Sequence, residues 1–219
     1  MTHIKICGIK EEEHARVLAE AGIDFIGLVF ASSPRQVTRA QARKIAAAVK
    51  KFKNGPETVG VFVNTPAATI RQTAETCGLD WVQLNGDEPW ALCRELDLPV
   101  IKVIRVSRTH KAEQICSDLE YGDKLLAKRK HIFLLDANAR DKYGGTGTKF
   151  DWKLAVPIAR RLPVIIAGGL TPDNVKEAVK LIKPWGVDVS SGVETKGAKD
   201  MRKIMNFINS VREADANRS

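Results

Sequence analysis

The chain has 219 residues, of which 44% are hydrophobic, enough to bury the core of one domain or a small two-domain protein. No apolar stretch is long enough to span a bilayer. Lys5 and Lys10 fall where a signal peptide would need an uninterrupted apolar segment. The sequence therefore excludes a membrane protein and predicts a soluble protein with a cytoplasmic location.

The chain carries a formal net charge of +9, which fits either a nucleic-acid binder or an enzyme with a negatively charged substrate. Lys and Arg are spread along the whole chain, and the densest clusters fall near predicted helix ends, at 50–53 and 128–130. This distribution favours solvated surface charge over a nucleic-acid site. None of the four cysteines has C-x-x-C spacing, so we expect no zinc site and free thiols.

Strand-like apolar runs alternate with helical patterns along the whole chain. The predicted strands are 3–9, 24–30, 58–64, 80–86, 98–106, 131–137, 162–169 and 185–193. The predicted helices are 11–22, 38–52, 65–78, 87–96, 109–122, 150–161, 171–182 and 198–214. Thr38 is a plausible helix cap, and Gly22 and Gly78 are plausible helix ends.

Eight strand–helix units in this length favour a closed barrel over an open doubly wound sheet. The strands are continuous apolar runs, which is typical of parallel strands covered on both faces. No G-x-G-x-x-G motif follows the first strand, as a dinucleotide-binding fold would require. We predict an α/β protein with a single-domain (β/α)8 TIM barrel over residues 1–214 and a short tail over 215–219.

In such barrels, functional side chains gather at the carboxyl ends of the strands. The ends of the seventh and eighth predicted strands are rich in glycine and serine, which suits a phosphate-binding site: Gly168, Gly169, Ser190, Ser191 and Gly192. The alternative is that these glycines only end strands. The GGTGTK segment lacks the Walker spacing, so no nucleoside triphosphate is implied.

Cys7 ends the first predicted strand and Asp136 ends the sixth, so we expect them to face each other across the barrel mouth. A thiol whose pKa is lowered by nearby cations can accept a proton. A carboxyl group whose pKa is raised by partial burial can donate one. Taken singly, Cys7 also fits a core thiol and Asp136 a loop-capping carboxylate. Cys77, Cys93 and Cys116 fit small buried hydrophobic residues.

Eight segments together resemble the phosphoribosylanthranilate isomerase family of tryptophan biosynthesis, in order and over nearly the whole chain. They are KICGI (5–9), GLVFASSPRQV (27–37), VGVFVN (59–64), VQLNGDE (82–88), FLLDA (133–137), GGTGTKFDW (144–152), IAGGLTPDNV (166–175) and GVDVSSGVE (186–194). The resemblance implies a TIM barrel that catalyses an Amadori rearrangement of N-(5-phosphoribosyl)anthranilate. It implies a small phosphosugar substrate, no metal and no cofactor, and no nucleic-acid or membrane partner, in a monomer or homodimer.

The resemblance also assigns roles residue by residue. Cys7 matches the family's general base, Asp136 its general acid, and Arg35 the arginine that binds the anthranilate carboxylate. The phosphate-binding residues match the five glycines and serines named above. The glycine-rich segment with Gly144, Gly145 and Gly147 could act as a lid over the site.

One position departs from the family pattern, because Asn85 stands where V-Q-L-H-G would place a histidine. Asparagine can donate and accept hydrogen bonds, but it cannot relay a proton near neutral pH. This puts in doubt any proton-transfer role for that side chain. Two other functions stay open. The chain could be the analogous isomerase of the histidine pathway, whose pattern has two aspartates, or a basic binding protein without catalytic activity.

Overall fold

A computed structural model of the chain describes residues 1–107, 110–136 and 152–216. Eight strands form a closed barrel in chain order, which confirms the predicted (β/α)8 fold. The strands are β1 (His3–Cys7), β2 (Phe25–Val29), β3 (Glu57–Phe62), β4 (Trp81–Leu84), β5 (Val100–Arg105), β6 (His131–Asp136), β7 (Val164–Ala167) and β8 (Gly186–Val189). The helices are α1 (Glu12–Glu20), α2 (Arg39–Val49), α3 (Ala67–Cys77), α4 (Trp90–Glu95), α5 (Ala112–Leu126), α6 (Trp152–Ala159), α7 (Val175–Ile182) and α8 (Met201–Ala216).

Local sequence signals correctly predicted two of the helix ends. The Thr38 hydroxyl accepts a hydrogen bond from Gln41 N at 3.2 Å, and the Gln41 side chain accepts one from Thr38 N at 2.9 Å. This reciprocal pair is a capping box at the start of α2. Gly78 ends α3 in the left-handed conformation, as predicted. The predicted end of α5 at Gly122 is wrong, because Gly122 is buried inside a helix that continues to Leu126.

Two further boundaries differ from the prediction. Asn174 does not lie inside a helix but precedes α7, where its side-chain oxygen accepts from Thr171 N at 2.8 Å. The last predicted strand ends early, at Val189, and gives way to a 3₁₀ turn over Ser191–Val193. A two-stranded antiparallel hairpin follows, with β9 (Glu194–Thr195) and β10 (Ala198–Lys199), which the sequence did not predict.

The parallel register of β1 to β4 separates an outer from an inner strand face. A Cβ atom added to Gly60 on β3 would come within 2.5 Å of Leu79, which follows α3, so this face meets the helical layer. Side chains alternate along a strand, so Val59 and Val61 face inward. Val61 pairs in register with Val29 on one side and with Gln83 on the other, which places all three on the inner face.

Contacts between residues divide the chain into two compact units. One unit comprises Lys5–Lys102 and Lys128–His131. The other comprises Met1–Ile4, Val103–Ala127 and Ile132–Ser219. The single domain over 1–214 stays a prediction.

Within the described ranges, no helix has the length and apolar character needed to cross a membrane. The proposed lid residues Gly144, Gly145 and Gly147 lie outside the described residues. The cytoplasmic location stays a prediction.

The predicted tail begins too early, because helix α8 includes Asp215 and Ala216. The Asp215 carboxylate accepts hydrogen bonds from Thr2 N at 2.5 Å and from Thr2 Oγ1 at 2.8 Å. These bonds join two segments that are 213 positions apart in the chain. The end of α8 is therefore held by the residue that precedes β1.

We expect truncation after Ala214 to destabilise the fold, because it removes the carboxylate that accepts both hydrogen bonds from Thr2. Bonds to a charged group contribute about 1–3 kcal/mol, which corresponds to a fall in melting temperature of several degrees for a chain of this size. Thermal unfolding measures the change. Truncation after Ala216, which keeps the Asp215 carboxylate, is the control; an equal loss in both would contradict the role of Asp215.

Candidate active site

Cys7 stands at the carboxyl end of β1, at the inner face of the barrel. Its register partner Gly27 lies two positions before Val29, so Cys7 shares the face that Val29 and Val61 occupy. These three side chains form one hydrophobic cluster. Cys7 is buried, but its exposed fraction of 8% is larger than that of any other cysteine in the chain.

The backbone conformation and the packing at position 8 explain why a glycine follows Cys7. Its φ of +81° lies in the left-handed region, and its N–H donates to Gly27 O at 2.8 Å. A Cβ atom at Gly8 would lie 2.7 Å from Cδ of Arg35, so the arginine side chain packs directly over this glycine. The structure thus brings together Cys7 and Arg35, which the sequence had placed 28 positions apart.

A buried carboxylate braces the loops that follow β3 and β4. Glu88 accepts hydrogen bonds from Asn64 N at 2.7 Å and from Gly86 N at 2.9 Å. Lys102 on β5 lies 3.5 Å from the same carboxylate, and both side chains are buried. The Asn64 side chain in turn accepts from Asp87 N at 2.8 Å. This network fixes both loop backbones.

Gln83 and Asn85 occupy the end of β4 and the position just beyond it. Gln83 is 3% exposed and lies on the inner face, in register with Val61. Its Nε2 donates to Oδ1 of Asn85 at 3.2 Å. Asn85 N donates to Phe62 O at 2.8 Å, which anchors the residue to β3. Asn85, the residue that departs from the family pattern, therefore accepts a hydrogen bond from Gln83 on the inner face.

In the other unit, Asp136 ends β6 as a partly exposed residue. Its carbonyl accepts from Val106 N at 2.9 Å, which pins the strand end, and it pairs in register with Ala167. The registers of β6, β7 and β8 place Asp136 and Asp188 on the same strand face. Asp188 is buried, and the sequence analysis gave it no role of its own.

The loop after β7 and the turn after β8 are packed backbone to backbone. A Cβ atom at Gly192 would lie 1.8 Å from the carbonyl oxygen of Leu170, so only glycine allows this approach. The Asn174 side chain donates to Gly169 O at 2.9 Å and holds the loop from the other side. Gly168 and Gly169 are partly exposed. The predicted anion loops therefore do come together.

Lys199 on β10 holds the turn that contains Ser190. Its Nζ donates to Ser190 O at 2.9 Å and lies 2.8 Å from a carboxylate oxygen of Glu194. Both charged side chains are largely buried. Sequence reasoning missed Lys199, as it missed Glu88 and Lys102, because each acts through a partner that only the fold brings near. That Cys7 faces Asp136 stays a prediction.

The other three cysteines differ from Cys7 in burial. Their exposed fractions are 3% for Cys77, 0% for Cys93 and 2% for Cys116. Burial raises the pKa of the Cys93 thiol to about 11, and it also raises the thiol pKa of Cys77 and Cys116. A raised thiol pKa keeps the group protonated and unreactive at neutral pH. These three residues therefore fit the predicted role of small buried hydrophobic residues.

We expect iodoacetamide at pH 8 to alkylate Cys7 first in the folded protein, since the thiolate reacts and the other thiols stay protonated and buried. Mass spectrometry of peptides taken over a time course locates the label. Unfolding in guanidinium should make all four cysteines reactive. Earlier labelling of Cys77 or Cys116 in the folded chain would contradict the assignment of Cys7 as the accessible thiol.

Comparison with known proteins gives a consistent result over the full chain. A model of the N-(5'-phosphoribosyl)anthranilate (PRA) isomerase family matches residues 4–210. The curated N-(5'-phosphoribosyl)anthranilate isomerase of Dehalococcoides mccartyi is 44% identical over 218 residues, covering 100% of this chain and 99% of that one.

Solved structures agree with the sequence matches. The phosphoribosyl anthranilate isomerase of Thermotoga maritima superposes with a TM-score of 0.83 at 36% identity, covering 97% of this chain and 100% of that one. A second isomerase structure, with a TM-score of 0.80, 35% identity and the same coverage, is a complex with reduced 1-(o-carboxyphenylamino)-1-deoxyribulose 5-phosphate. Since the family model and the full-length relatives agree, this chain belongs to the family of N-(5'-phosphoribosyl)anthranilate isomerases.

Proposed function

We propose that the chain converts N-(5'-phosphoribosyl)anthranilate to 1-(2-carboxyphenylamino)-1-deoxyribulose 5-phosphate, with Cys7 as general base and Asp136 as general acid. The observation that carries this proposal is the packing of Arg35 over Gly8, directly after Cys7. It sets a cation that suits a carboxylate next to a thiol that suits proton transfer. Family membership supports the same reaction.

The two ends of the substrate have separate binding groups in this proposal. Arg35 binds the anthranilate carboxylate, for which a guanidinium offers two parallel donors. The phosphate binds at the loops with Gly168–Gly169 and Ser190–Gly192, which lie side by side because Gly192 packs against the Leu170 carbonyl. Backbone N–H groups and serine hydroxyls of such loops are donors that suit an anion. The bond that changes lies between these two anchors, in the sugar.

The first step opens the sugar ring. Asp136 gives its proton to the furanose ring oxygen while the bond from that oxygen to C1 breaks. The lone pair of the anthranilate nitrogen forms the C1–N double bond, which leaves a positive charge on nitrogen. Asp136 suits this role because it ends β6 and is partly exposed, so substrate can reach its carboxyl group.

The second step removes the proton from C2. Cys7 as thiolate takes this proton, and the released electron pair forms the C1–C2 double bond and neutralises the nitrogen. The resulting enolamine tautomerises to the ketone. One proton is given and one is taken, so the reaction is an internal redox change between two carbons of one molecule. Lys5 lies two positions before Cys7 on the same face and is 1% exposed, and a cation there favours the thiolate.

A fluorescence assay tests the proposed function, because the anthranilate group reports consumption of the substrate. We expect turnover by the purified chain with no added metal or cofactor. A panel that includes the aminoaldose substrate of the histidine-pathway isomerase separates the two isomerase functions. Salt-dependent retention of nucleic acid without turnover of either substrate would favour a basic binding protein instead. The cytoplasmic location and the monomeric or homodimeric state stay predictions.

We expect Cys7→Ser and Asp136→Asn each to lower kcat by about 10²–10⁴-fold, the usual contribution of a single proton-transfer group. Both changes keep the size of the side chain, so thermal unfolding should stay close to that of the wild-type chain. Cys77→Ser is the matched control, since that thiol lies at the end of α3 and has no proposed role. Near-normal turnover in either variant would remove that residue from the mechanism.

We expect Gly8→Ala to raise KM, because the added methyl group displaces Arg35. The KM of Arg35→Ala, measured in the same assay, sets the upper limit of this effect. The added methyl group would lie 2.7 Å from Cδ of Arg35. Gly197→Ala is the matched control, because Gly197 has the same φ of +81° but no atom within 4 Å of an added Cβ. Steady-state kinetics and thermal unfolding measure both variants. An equal KM in the two would show that Arg35 is not held by Gly8.

A further inference from the structure

One polar atom on the inner face of β4 has no role in the mechanism described above. In the part of the chain that the structure describes, Oε1 of Gln83 is a buried side-chain oxygen without a hydrogen-bond partner. The residue is 3% exposed, and its other polar atom, Nε2, donates to Oδ1 of Asn85 at 3.2 Å. Asn85 therefore fixes the amide so that its donor is used and its acceptor is left open.

An open acceptor of this kind is costly, because a buried oxygen has lost its water without gaining another donor. Folded proteins leave few such atoms, and those that remain call for a specific explanation. A chain that needed only packing here would do better with an apolar side chain of the same size. The open oxygen therefore points to a donor that arrives with a ligand.

The position of Gln83 limits where that donor binds. Gln83 pairs in register with Val61, and Val61 belongs to the cluster that contains Cys7. Both residues lie in the unit formed by Lys5–Lys102 and Lys128–His131. The open oxygen thus shares the inner strand face with the thiol and lies at the carboxyl end of its own strand.

The chemistry of the substrate indicates which of its groups can donate a hydrogen bond to Oε1 of Gln83. Its carboxylate and phosphate oxygens are anionic acceptors near neutral pH, so an amide oxygen repels them. Its amine N–H lies ortho to its own carboxylate, which can accept that proton within the molecule. The hydroxyl groups of the ribosyl part are the donors that still need a partner.

We propose that Oε1 of Gln83 accepts a hydrogen bond from a ribosyl hydroxyl group of the substrate, with Asn85 holding the amide in the required orientation. This inference rests on the proposed function. In this proposal Gln83 recognises the sugar, and its unsatisfied oxygen lowers the stability of the fold when no ligand is bound. Replacing it with an apolar residue of similar length should therefore weaken ligand binding and leave the fold intact.

Gln83→Met tests this, with two measurements on the full chain. The first is thermal unfolding without ligand, which we expect to be unchanged or shifted to higher temperature. The second is the Kd of reduced 1-(o-carboxyphenylamino)-1-deoxyribulose 5-phosphate, the ligand bound in a related isomerase, which we expect to rise tenfold or more, with a matching fall in kcat/KM. Gln72→Met is the control, because Gln72 is an exposed glutamine on α3.

The outcomes separate the inference from the function on which it rests. A Kd that rises threefold or more, with unfolding at or above the wild-type temperature, supports a role in recognition. A smaller rise in Kd overturns it and leaves a bound water as the partner of Gln83. Loss of folding or a lower melting temperature also overturns it, because the amide is then structural. A wild-type chain that neither binds this ligand nor turns over substrate overturns the proposed function as well.

Discussion

The parallel register between neighbouring strands is the constraint on which the candidate site depends. Cys7 pairs with Gly27 on β2, and Val61 on β3 pairs with both Val29 and Gln83. Because paired residues in parallel strands point to the same face, this register carries polar residues to one inner surface. A shift of one residue in any strand would turn its side chains to the helical layer. The chemistry therefore follows from the hydrophobic pattern that sets the register.

Buried ion pairs hold the loops beyond these strands. Glu88 is bound by two backbone N–H groups and by Lys102, and Lys199 joins Glu194 to the carbonyl of Ser190. Such pairs add little net stability, because two charges must leave water, but removing one partner is costly. Their value lies in geometry. The Lys199–Glu194 pair fixes the turn that contains Ser190, a predicted phosphate-binding residue, and the Glu88–Lys102 pair fixes the loop backbones after β3 and β4. Preorganised loops bind an anion without an added entropy cost.

Alternation of apolar runs and helical patterns was enough to predict the barrel, because each strand is buried on both faces. It was not enough where packing overrides local preference. Gly122 carries a stop signal for a helix, yet it is buried inside α5. Cys7 and Asp136 could be singled out because both end strands. The open oxygen of Gln83 could not, since its state depends on where Asn85 and Val61 lie in space.

The two ends of β3 and β4 show how stability and function are divided. At the amino ends, the buried Thr58 donates to Asp80 from both its N–H and its hydroxyl group, at 2.8 and 2.7 Å. The indole N–H of Trp81 donates to Glu57 at 2.8 Å. At the carboxyl end, Gln83 keeps an acceptor open. Selection for stability alone would satisfy both ends alike. An unsatisfied group at the end where barrel enzymes place their chemistry is therefore better explained by the ligand than by the fold.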